Sequence, residues 1–490
     1  MKKKKRPEPS FTYDPEADKA KSASRRTGKK TDPDFIFDPT VQADTPTEPA
    51  DPLDMKNNLE KPVKKKKRWK KVLLTVFLVL LAAAIAYAIY ALLQVSKIST
   101  NPFNFGKLKG ENEGRVNILL LGVGDPGHDG EQLSDTNMVM SVNTKSNPVQ
   151  VSLISIPRDT RVYIPGQGYA KINQANSYGG PQLAEQTVSE TLGIPIQYYV
   201  TANFTGLKQA VDAVGGVDIR NNDSLSDPEY PCDNNQWRTC GFNLKPGDYR
   251  MDGTTALKYA RCRKGTCGDD YGRAARQQQV LQAMREKALS LQTLSNPAKV
   301  TNLINTVGNN VKTDLSLNNM MRLRDLTKDV KTSDLISVVF STKPNGFLKQ
   351  DPYSSDLLPV AGNFDNIQAF VKDIFSLGPV WKEESNATIK NGTTTVGLAL
   401  KLKSRIDADG DIVTIESVGN ASSKDATATQ IIDYTGGQKP NTAAYLEKMV
   451  GTGVKVSQPP EPVKNPTVDF EVILGSDYAQ AQKPTTNEAP

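Results

Sequence analysis

Four arginines are concentrated in residues 259–279, which read YARCRKGTCGDDYGRAARQQQ. Arg261 and Arg263 are two positions apart, so an extended segment would point both side chains the same way. Arg273 and Gln277 are four positions apart and would share one face of a helix. Guanidinium groups match the geometry of phosphate oxygens. The spacing therefore indicates a phosphate or pyrophosphate site, and its alternative is a charged strand end followed by the solvated start of a helix.

Three carboxylates follow an apolar segment, residues 116–121, that reads as a buried strand. Asp125 and Asp129 lie in the glycine-rich loop after this strand, and Asp135 precedes the next apolar run. Carboxylate oxygens are ligands that Mg²⁺ prefers, so a metal site is predicted here, whereas the alternative for Asp135 is a simple turn cap. The loop also matches G-x-G-x-x-G, but no helical pattern follows, which excludes a dinucleotide site.

One further arginine and a single histidine narrow the possible chemistry. Arg158 follows a predicted strand at residues 149–156, which is where an α/β sheet places ligand-binding groups. His128 is the only histidine in 490 residues, so no Ser-His-Asp triad or His-ligated zinc site is possible without it. Its position in a glycine-rich loop favours a loop residue over a catalyst.

The four cysteines, Cys232, Cys240, Cys262 and Cys267, all lie after residue 97, in the part of the chain that is predicted below to be extracellular. An even number in an oxidising compartment predicts disulfides, and nearest-neighbour pairing would join Cys232 to Cys240 and Cys262 to Cys267. Zinc is the alternative, but the C-x7-C and C-x4-C spacings suit it poorly. A bridge between Cys262 and Cys267 would hold the arginine loop in place.

Residues 72–96 carry no charge and are long enough to span a bilayer as a helix. A cluster of Lys and Arg at 64–71 precedes them and predicts a cytoplasmic N-terminus, a single-pass membrane anchor and an extracellular remainder. The first 71 residues hold 20 Lys and Arg against 12 Asp and Glu, which accounts for the whole net charge of +7. We therefore predict a disordered basic tail and no nucleic-acid partner for the rest of the chain.

Strand-like and helix-like patterns alternate beyond a spacer at 97–113, which predicts an α/β fold with helices over a sheet. The main domain is predicted at residues 114–376, with helices at 181–192, 205–214, 254–259, 272–291, 297–307 and 317–330. A linker at 377–385, a small α/β domain at 386–478 and a disordered tail at 479–490 complete the expected organisation.

The order of the motifs NILLLGVG, LSDT, SLISIPRDTRVYIPG, KINQANSYGGP, LGIPIQYYV, VGGVDI and ALKYARCR…DDYGRAARQQ resembles the LytR-CpsA-Psr family. The resemblance implies a sheet sandwiched by helices and a Mg²⁺-dependent phosphotransferase outside the bacterial membrane. Its expected reaction moves a glycopolymer, such as teichoic acid or capsule, from an undecaprenyl-pyrophosphate carrier to peptidoglycan. The implied partners are the polyprenyl-linked glycan, peptidoglycan and membrane lipid.

The resemblance also assigns roles to individual positions. It implies that Arg158, Arg261, Arg263 and Arg273 clamp the pyrophosphate, with Gln277 and Asp270 beside them. Asp135 would hold Mg²⁺ and accept the proton of the attacking hydroxyl. The family's usual aspartate after Leu-Gly-Val is Gly124 here, so the second metal carboxylate is either Asp125 or Asp129. Tyr198, Tyr199 and Phe204 would line an isoprenoid trough, although buried aromatic residues are more often core.

Residues 387–478 resemble the LytR C-terminal domain, and they contain no catalytic constellation, so a wall-binding or structural role is expected. Two alternatives to the enzyme remain for the whole chain. One is a non-catalytic scaffold that binds polyprenyl pyrophosphate or cell wall without Mg²⁺. The other is a membrane-bound transcription regulator that uses the basic tail, which lacks the aromatic interleaving and helical periodicity of a nucleic-acid-binding segment.

Overall fold

The computed structural model describes residues 106–482 except 233–234, 290–306, 344–345, 411, 462 and 464–465. The strands are β1 (Arg115–Val123), β2 (Ser134–Asn143), β3 (Gln150–Ile156), β4 (Arg161–Ile164), β5 (Gly168–Lys171), β6 (Tyr198–Asn203), β7 (Val217–Asn221), β8 (Leu225–Asp227), β9 (Pro231–Cys232), β10 (Asn235–Thr239), β11 (Phe242–Leu244), β12 (Gly247–Met251), β13 (Val311–Thr313), β14 (Ile336–Val339), β15 (Leu348–Gln350), β16 (Leu357–Pro359), β17 (Asn386–Asn391), β18 (Thr414–Asn420), β19 (Gln430–Asp433), β20 (Val456–Ser457) and β21 (Phe470–Leu474). The helices are α1 (Gln174–Leu192), α2 (Phe204–Ala213), α3 (Gly253–Arg261), α4 (Asp269–Leu289), α5 (Leu317–Thr327), α6 (Asp365–Lys372), α7 (Ile374–Lys382), α8 (Leu398–Ala408), α9 (Pro440–Val450) and α10 (Ser476–Ala481).

A six-stranded mixed sheet with the order β13-β6-β1-β2-β3-β14 forms the centre of the first domain. β2 runs antiparallel to both β1 and β3, whereas β6 is parallel to β1 and β14 is parallel to β3. The carboxyl ends of β1, β3, β6 and β14 therefore meet the start of β2 at one edge. Residues that follow these strands are brought together there, as ligand sites of α/β sheets require.

Alternating side chains of the central strands fill two separate layers. Leu119 of β1 belongs to a core that includes residues of α1, α6 and α7, among them Val188 and Phe370. Its neighbour Ile118 faces the opposite layer, where partly buried residues of α5 such as Leu323 pack. The predicted mixed α/β fold is thus confirmed.

Helix α1 begins earlier than the predicted start at Pro181. It starts at Gln174 and is kinked at Gly179 and Gly180, whose backbone angles are not helical. The proline signal therefore marks the second half of this helix, after the kink, and not its beginning.

A second core lies among α2, α3, α4 and the two-stranded sheets β7–β12 and β8–β11, and a third two-stranded sheet, β9–β10, follows β8 in the chain. Residues 221–247 are polar and read as irregular in the sequence, but they form several of these short strands. The structure contains the disulfides Cys232–Cys240 and Cys262–Cys267, which is the nearest-neighbour pairing. The second bridge lies between α3 and α4.

The C-terminal domain has a five-stranded sheet, β18-β17-β21-β19-β20, with α8 and α9 packed on it. The predicted linker at 377–385 is mostly helix α7, and Leu377 and Val380 are buried in the core shared with Ile389 of β17. Gly378 is required for the close approach of α7 to β14, since a Cβ there would overlap the Ile336 side chain. The two domains are therefore joined by a helix that packs on both.

Part of the predicted spacer belongs to the fold. Leu108 is buried, the backbone N–H of Lys109 donates to the Tyr198 hydroxyl, and Glu111 pairs with Arg322 at 2.6 Å. The predicted basic tail, membrane span and start of the spacer (1–105), most of the helix at 297–307 and residues 483–490 lie outside the described residues. Among the residues that the structure does describe, no helix has both the length and the apolar character needed to cross a bilayer.

Candidate active site

A cavity of about 540 Å³ opens at the sheet edge where β1, β3 and β6 end, a volume typical of small-molecule sites. Its lining includes most of the residues singled out in the sequence: Asp129, Asp135, Arg158, Arg261, Arg263, Arg273 and Gln277. These residues come from four segments of the chain: residues 129–135, Arg158, residues 261–263 and residues 273–277. The strand order brings them together, since no two of the segments are neighbours in sequence except α3 and α4.

Asp270 is the centre of the charge network beside this cavity. Its carboxylate lies 3.3 Å from Nη1 of Arg273, 3.6 Å from Nε of Arg158 and 3.9 Å from Nη1 of Arg263. Asp135 pairs with Arg158 at 2.7 Å. One aspartate therefore spaces three guanidinium groups that would otherwise repel one another, and a second fixes Arg158.

The site holds its charges in their ionised forms. Burial would raise the pKa of Asp135, but the charges of Arg158, Arg273 and Arg263 and the hydrogen bond from Arg158 outweigh it and lower that pKa. Burial alone would lower the pKa of Arg158, yet Asp135, Asp270 and Asp159 raise it. Burial lowers the pKa of Arg273, which still remains a cation near neutral pH.

Arg261 and Arg263 do not lie on an extended segment, so that prediction is wrong. Helix α3 ends at Arg261, and Cys262 turns the chain out of the helix before Arg263. The guanidinium of Arg261 lies 3.9 Å from the ring centre of Phe204 and 5.8 Å from that of Tyr230. Stacking on two rings holds the fork of Arg261 at the cavity wall without consuming its hydrogen-bond donors.

The loop that carries Arg263 is held in place by hydrogen bonds to Asp227, a residue that no sequence motif singles out. Asp227 is 2% exposed, and its carboxylate accepts hydrogen bonds from the backbone N–H groups of Arg263 and Lys264. The disulfide between Cys262 and Cys267 closes the same loop. Nothing in the sequence signals this role, because Asp227 is 36 positions from Arg263 along the chain.

Helix α4 carries Arg273 and Gln277 and is fixed to the sheet by Gln278. The buried amide of Gln278 donates to Ser155 Oγ at 2.9 Å and to the Val338 carbonyl at 3.1 Å, on β3 and β14. Arg276, the fourth arginine of the cluster, faces away from substrate: it is buried and donates to the Tyr259 and Cys262 carbonyls. Gly272 is needed because a Cβ there would overlap the Cys267 carbonyl oxygen.

The three predicted metal carboxylates are in different surroundings. Asp125 accepts from the Thr205 N–H at 2.8 Å and its hydroxyl at 2.9 Å, so it holds the start of α2. Asp129 and Asp135 both line the cavity. Within the described ranges, the single group of three ligand residues in mutual reach is Asp227 with Cys262 and Cys267, whose thiols form a disulfide.

The donor set is consistent with magnesium shared with a substrate. Mg²⁺ is commonly held by one or two carboxylates, water and substrate phosphates, and not by an all-protein cage. Asp129 and Asp135 offer hard oxygen donors for such an arrangement, since both line the cavity. The environment of Asp125 favours Asp129 as the second carboxylate.

Most of the other residues that line the cavity are apolar. The aliphatic lining residues are Leu120, Leu121, Leu133, Val200, Leu207, Leu257, Val280 and Leu281. Of the three aromatic residues expected to line a trough, Phe204 does so, whereas Tyr198 and Tyr199 are 1% and 3% exposed and belong to the core. The cavity therefore combines a set of charged side chains with a mostly apolar lining.

The family profile described as LytR_cpsA_psr matches residues 82–353, more than half of the chain. The chain belongs to the LytR_cpsA_psr family. A second profile, described as LytR cell envelope-related transcriptional attenuator, matches residues 386–478. The charged cavity lies within the first match and the five-stranded sheet within the second.

Curated members of the family are similar to this chain over part of their length. The polyisoprenyl-teichoic acid–peptidoglycan teichoic acid transferase TagU of Enterococcus faecalis is 39% identical over 215 residues, 43% of this chain and 65% of that protein. The proteins of the same name from Oceanobacillus iheyensis and Bacillus anthracis are 39% and 36% identical, over 61% and 75% of their lengths. The chain thus spans slightly less than two thirds of the first two relatives.

Two solved structures are similar to part of this chain. Bacillus subtilis TagV is 28% identical with a TM-score of 0.44, covering 53% of this chain and 97% of TagV. B. subtilis TagT is 26% identical with a TM-score of 0.41, covering 57% of this chain and 95% of TagT.

Proposed function

We propose that this chain transfers a glycopolymer from a polyprenyl-pyrophosphate carrier to peptidoglycan. The observation that carries the proposal is that Arg158, Arg261, Arg263 and Arg273 all line one cavity whose other lining residues are mostly apolar. A pyrophosphate suits the guanidinium forks, and an isoprenoid suits the aliphatic lining. The curated relatives, which are named as transferases from polyisoprenyl-teichoic acid to peptidoglycan, support the same substrate class.

Each polar side chain has a distinct role in this reaction. Arg158, Arg263 and Arg273 neutralise the pyrophosphate, and Asp270 keeps them spaced for it. Arg261, held by aromatic stacking, contributes a further guanidinium fork from the cavity lining. Gln277 adds a neutral donor. Phosphoryl transfer requires positioning and charge stabilisation more than covalent catalysis, which this set of residues supplies.

The chemical step forms one bond and breaks one. A hydroxyl oxygen of peptidoglycan attacks the phosphorus next to the glycan, and the bridging P–O bond to the second phosphate breaks. The electron pair leaves with polyprenyl phosphate, whose charge the arginines stabilise. The hydroxyl proton passes to a cavity carboxylate. Asp135 has a lowered pKa and is a weak base, so it accepts the proton late, after the new bond has largely formed.

Magnesium dependence is part of the proposal. Asp135 and Asp129 would hold the ion, which when bound would neutralise phosphate oxygens as a Lewis acid. Residues 72–96 would anchor the chain in the membrane, with the cavity on the extracellular side, where both a membrane carrier and peptidoglycan are in reach.

The test uses the full chain in detergent micelles with an undecaprenyl-pyrophosphate-linked glycopolymer and purified peptidoglycan. Glycan that stays attached to washed peptidoglycan measures transfer. We expect Mg²⁺-dependent attachment that Arg261→Ala and Asp135→Ala abolish. Transfer at the unaltered rate by either variant would refute the site assignment, and a complete lack of transfer by the unaltered chain would refute the activity.

A second candidate is a scaffold that binds polyprenyl pyrophosphate without turnover. The feature that favours it is the displaced loop aspartate: the family's usual position is Gly124 here, and Asp125 is hydrogen-bonded to Thr205 instead of lining the cavity. A chelator distinguishes the two functions. The scaffold would bind carrier equally well in EDTA and release no polyprenyl phosphate, whereas the enzyme would release it only with Mg²⁺.

A further inference from the structure

The hairpin of β4 and β5 has two very different faces. On the inner face, Val162 and Ile164 are buried in the main core. On the outer face, Tyr163 is 52% exposed and Tyr169, its partner in the strand register, is 72% exposed. The two rings meet edge to face, with centres 5.6 Å apart. Large aromatic rings are seldom left this exposed without a partner, so this pair points to a ligand.

Two cationic and two anionic side chains lie on or beside this hairpin. Arg161 lies beside Tyr169, with its guanidinium 6.0 Å from the ring centre, and pairs with Asp356 at 3.6 Å. Lys171, the cross-strand partner of Arg161, pairs with Asp159 at 2.7 Å. Both cations thus have carboxylate partners. A surface that binds anionic lipid would offer unpaired cations, whereas mixed donors and acceptors around flat rings match the hydroxyl and amide groups of a sugar chain.

This face is continuous with the cavity through one carboxylate. Asp159 contacts Lys171 on the hairpin and lies 3.5 Å from Nε of Arg158, which itself pairs with Asp135. A sugar seated on the tyrosines is therefore separated from the phosphate-binding arginine by Lys171 and Asp159. An acceptor hydroxyl must approach the site from a surface, and this is a polar, aromatic surface that adjoins it.

We propose that the outer face of the β4–β5 hairpin binds the glycan strand of the acceptor peptidoglycan, with sugar rings packed on Tyr163 and Tyr169. The inference rests on the proposed function and names its acceptor subsite. The apolar C–H face of a pyranose ring covers an aromatic ring, and Arg161 and Asp356 hydrogen-bond the sugar's polar edge. The hairpin then delivers a hydroxyl towards Arg158.

The experiment measures binding of soluble glycan strands of alternating N-acetylglucosamine and N-acetylmuramic acid to the full chain in detergent. One double variant, Tyr163→Thr/Tyr169→Thr, removes both rings but keeps residues with high strand propensity. Its matched control, Tyr163→Phe/Tyr169→Phe, keeps the rings. We expect the Thr variant to bind glycan about tenfold more weakly or worse, and the Phe variant to stay within about threefold of the unaltered chain.

Kinetics separate a subsite from a merely structural hairpin. In the transfer assay, the Thr variant should raise KM for peptidoglycan and leave both KM for the lipid donor and kcat unchanged. A lowered unfolding midpoint with unchanged glycan affinity would overturn the proposal and leave a packing role. If the double variant fails to fold, Tyr169→Thr alone, at the more exposed position, carries the same test.

The remaining outcomes distinguish this inference from its alternatives. If the Thr variant binds glycan normally but no longer binds vesicles that contain anionic lipid, the inference is overturned in favour of a membrane contact. If the unaltered chain transfers no glycan, the binding assay still decides the subsite while the proposed activity falls. If transfer proceeds with an unchanged acceptor KM in the Thr variant, the activity stands and the subsite falls.

Discussion

Replacement of Arg273 by methionine removes the most buried cation of the network while nearly keeping its length. The Arg273 side chain is 8% exposed and lies 3.3 Å from Asp270, which is 26% exposed. Breaking a fully buried ion pair costs roughly 3–5 kcal/mol. Because Asp270 keeps Arg158 at 3.6 Å and Arg263 at 3.9 Å, we expect a smaller loss of unfolding free energy, about 1–2 kcal/mol.

The effect on transfer should be larger than the effect on stability. Loss of one preorganised donor to transition-state charge lowers kcat by about 100- to 1000-fold in well-studied cases, equivalent to about 3–4 kcal/mol. We expect Arg273→Met to fall in this range at saturating donor, and Arg273→Lys to fall between it and the unaltered chain. Lysine keeps the charge but not the planar fork.

The matched control is Arg220→Met, at a position remote from the cavity lining. Arg220 pairs with Asp248 at 3.9 Å, but both side chains are 78% exposed, so its removal should change neither transfer nor stability measurably. Transfer and denaturant unfolding of the three variants are measured on the full chain. An Arg273→Met variant that folds and transfers within about threefold of the unaltered rate would refute the assigned role.

Three further predictions follow from individual contacts. The folded protein lowers the pKa of Asp135, so the stability that its charge contributes is complete above about pH 3.9 and is lost as the pH falls through the lowered pKa. Denaturant unfolding from pH 7 to 3 should show that the unaltered chain and Asp135→Asn differ in unfolding free energy, and that this difference closes only below about pH 4. Gln278→Leu should lower the unfolding free energy by about 1–3 kcal/mol and reduce transfer, because α4 loses its bonds to the sheet; unchanged stability would contradict this. The double variant Cys262→Ser/Cys267→Ser should lower the unfolding free energy by about 2 kcal/mol, because this disulfide closes a loop with a sequence separation of 5, and it should also weaken carrier binding. Removal of the Cys232–Cys240 disulfide should lower the unfolding midpoint and leave carrier binding unchanged.

The sequence identified the components of the site because each follows a strong local pattern. The apolar run at residues 116–121 predicted β1, and the arginine spacing predicted a phosphate site that the topology places at one cavity. The extended segment at Arg261 was wrong, since a helix that ends at that residue serves equally well to bring Arg261 and Arg263 to the wall. The two-residue spacing of Arg261 and Arg263 is therefore compatible with an extended segment and with a helix end.

Other features depend on contacts between distant segments and leave no local signal. Asp125 reads as a metal ligand in its loop, but a threonine 80 residues later engages it. Asp227 is an ordinary acidic residue until the arginine loop folds against it. The hairpin of β4 and β5 has strands of four residues each, too short for a periodic pattern. The close packing that Gly378 permits around α7 depends on Ile336, a residue distant in sequence.

The most direct measurement of the central claim is a crystal structure of the chain with a polyprenyl-pyrophosphate-linked sugar bound. We predict that both phosphates lie within hydrogen-bonding distance of Arg158, Arg263 and Arg273, and that the isoprenoid occupies the aliphatic part of the cavity. Phosphates bound elsewhere on the surface, with these guanidinium groups still engaged only by Asp135 and Asp270, would contradict the account.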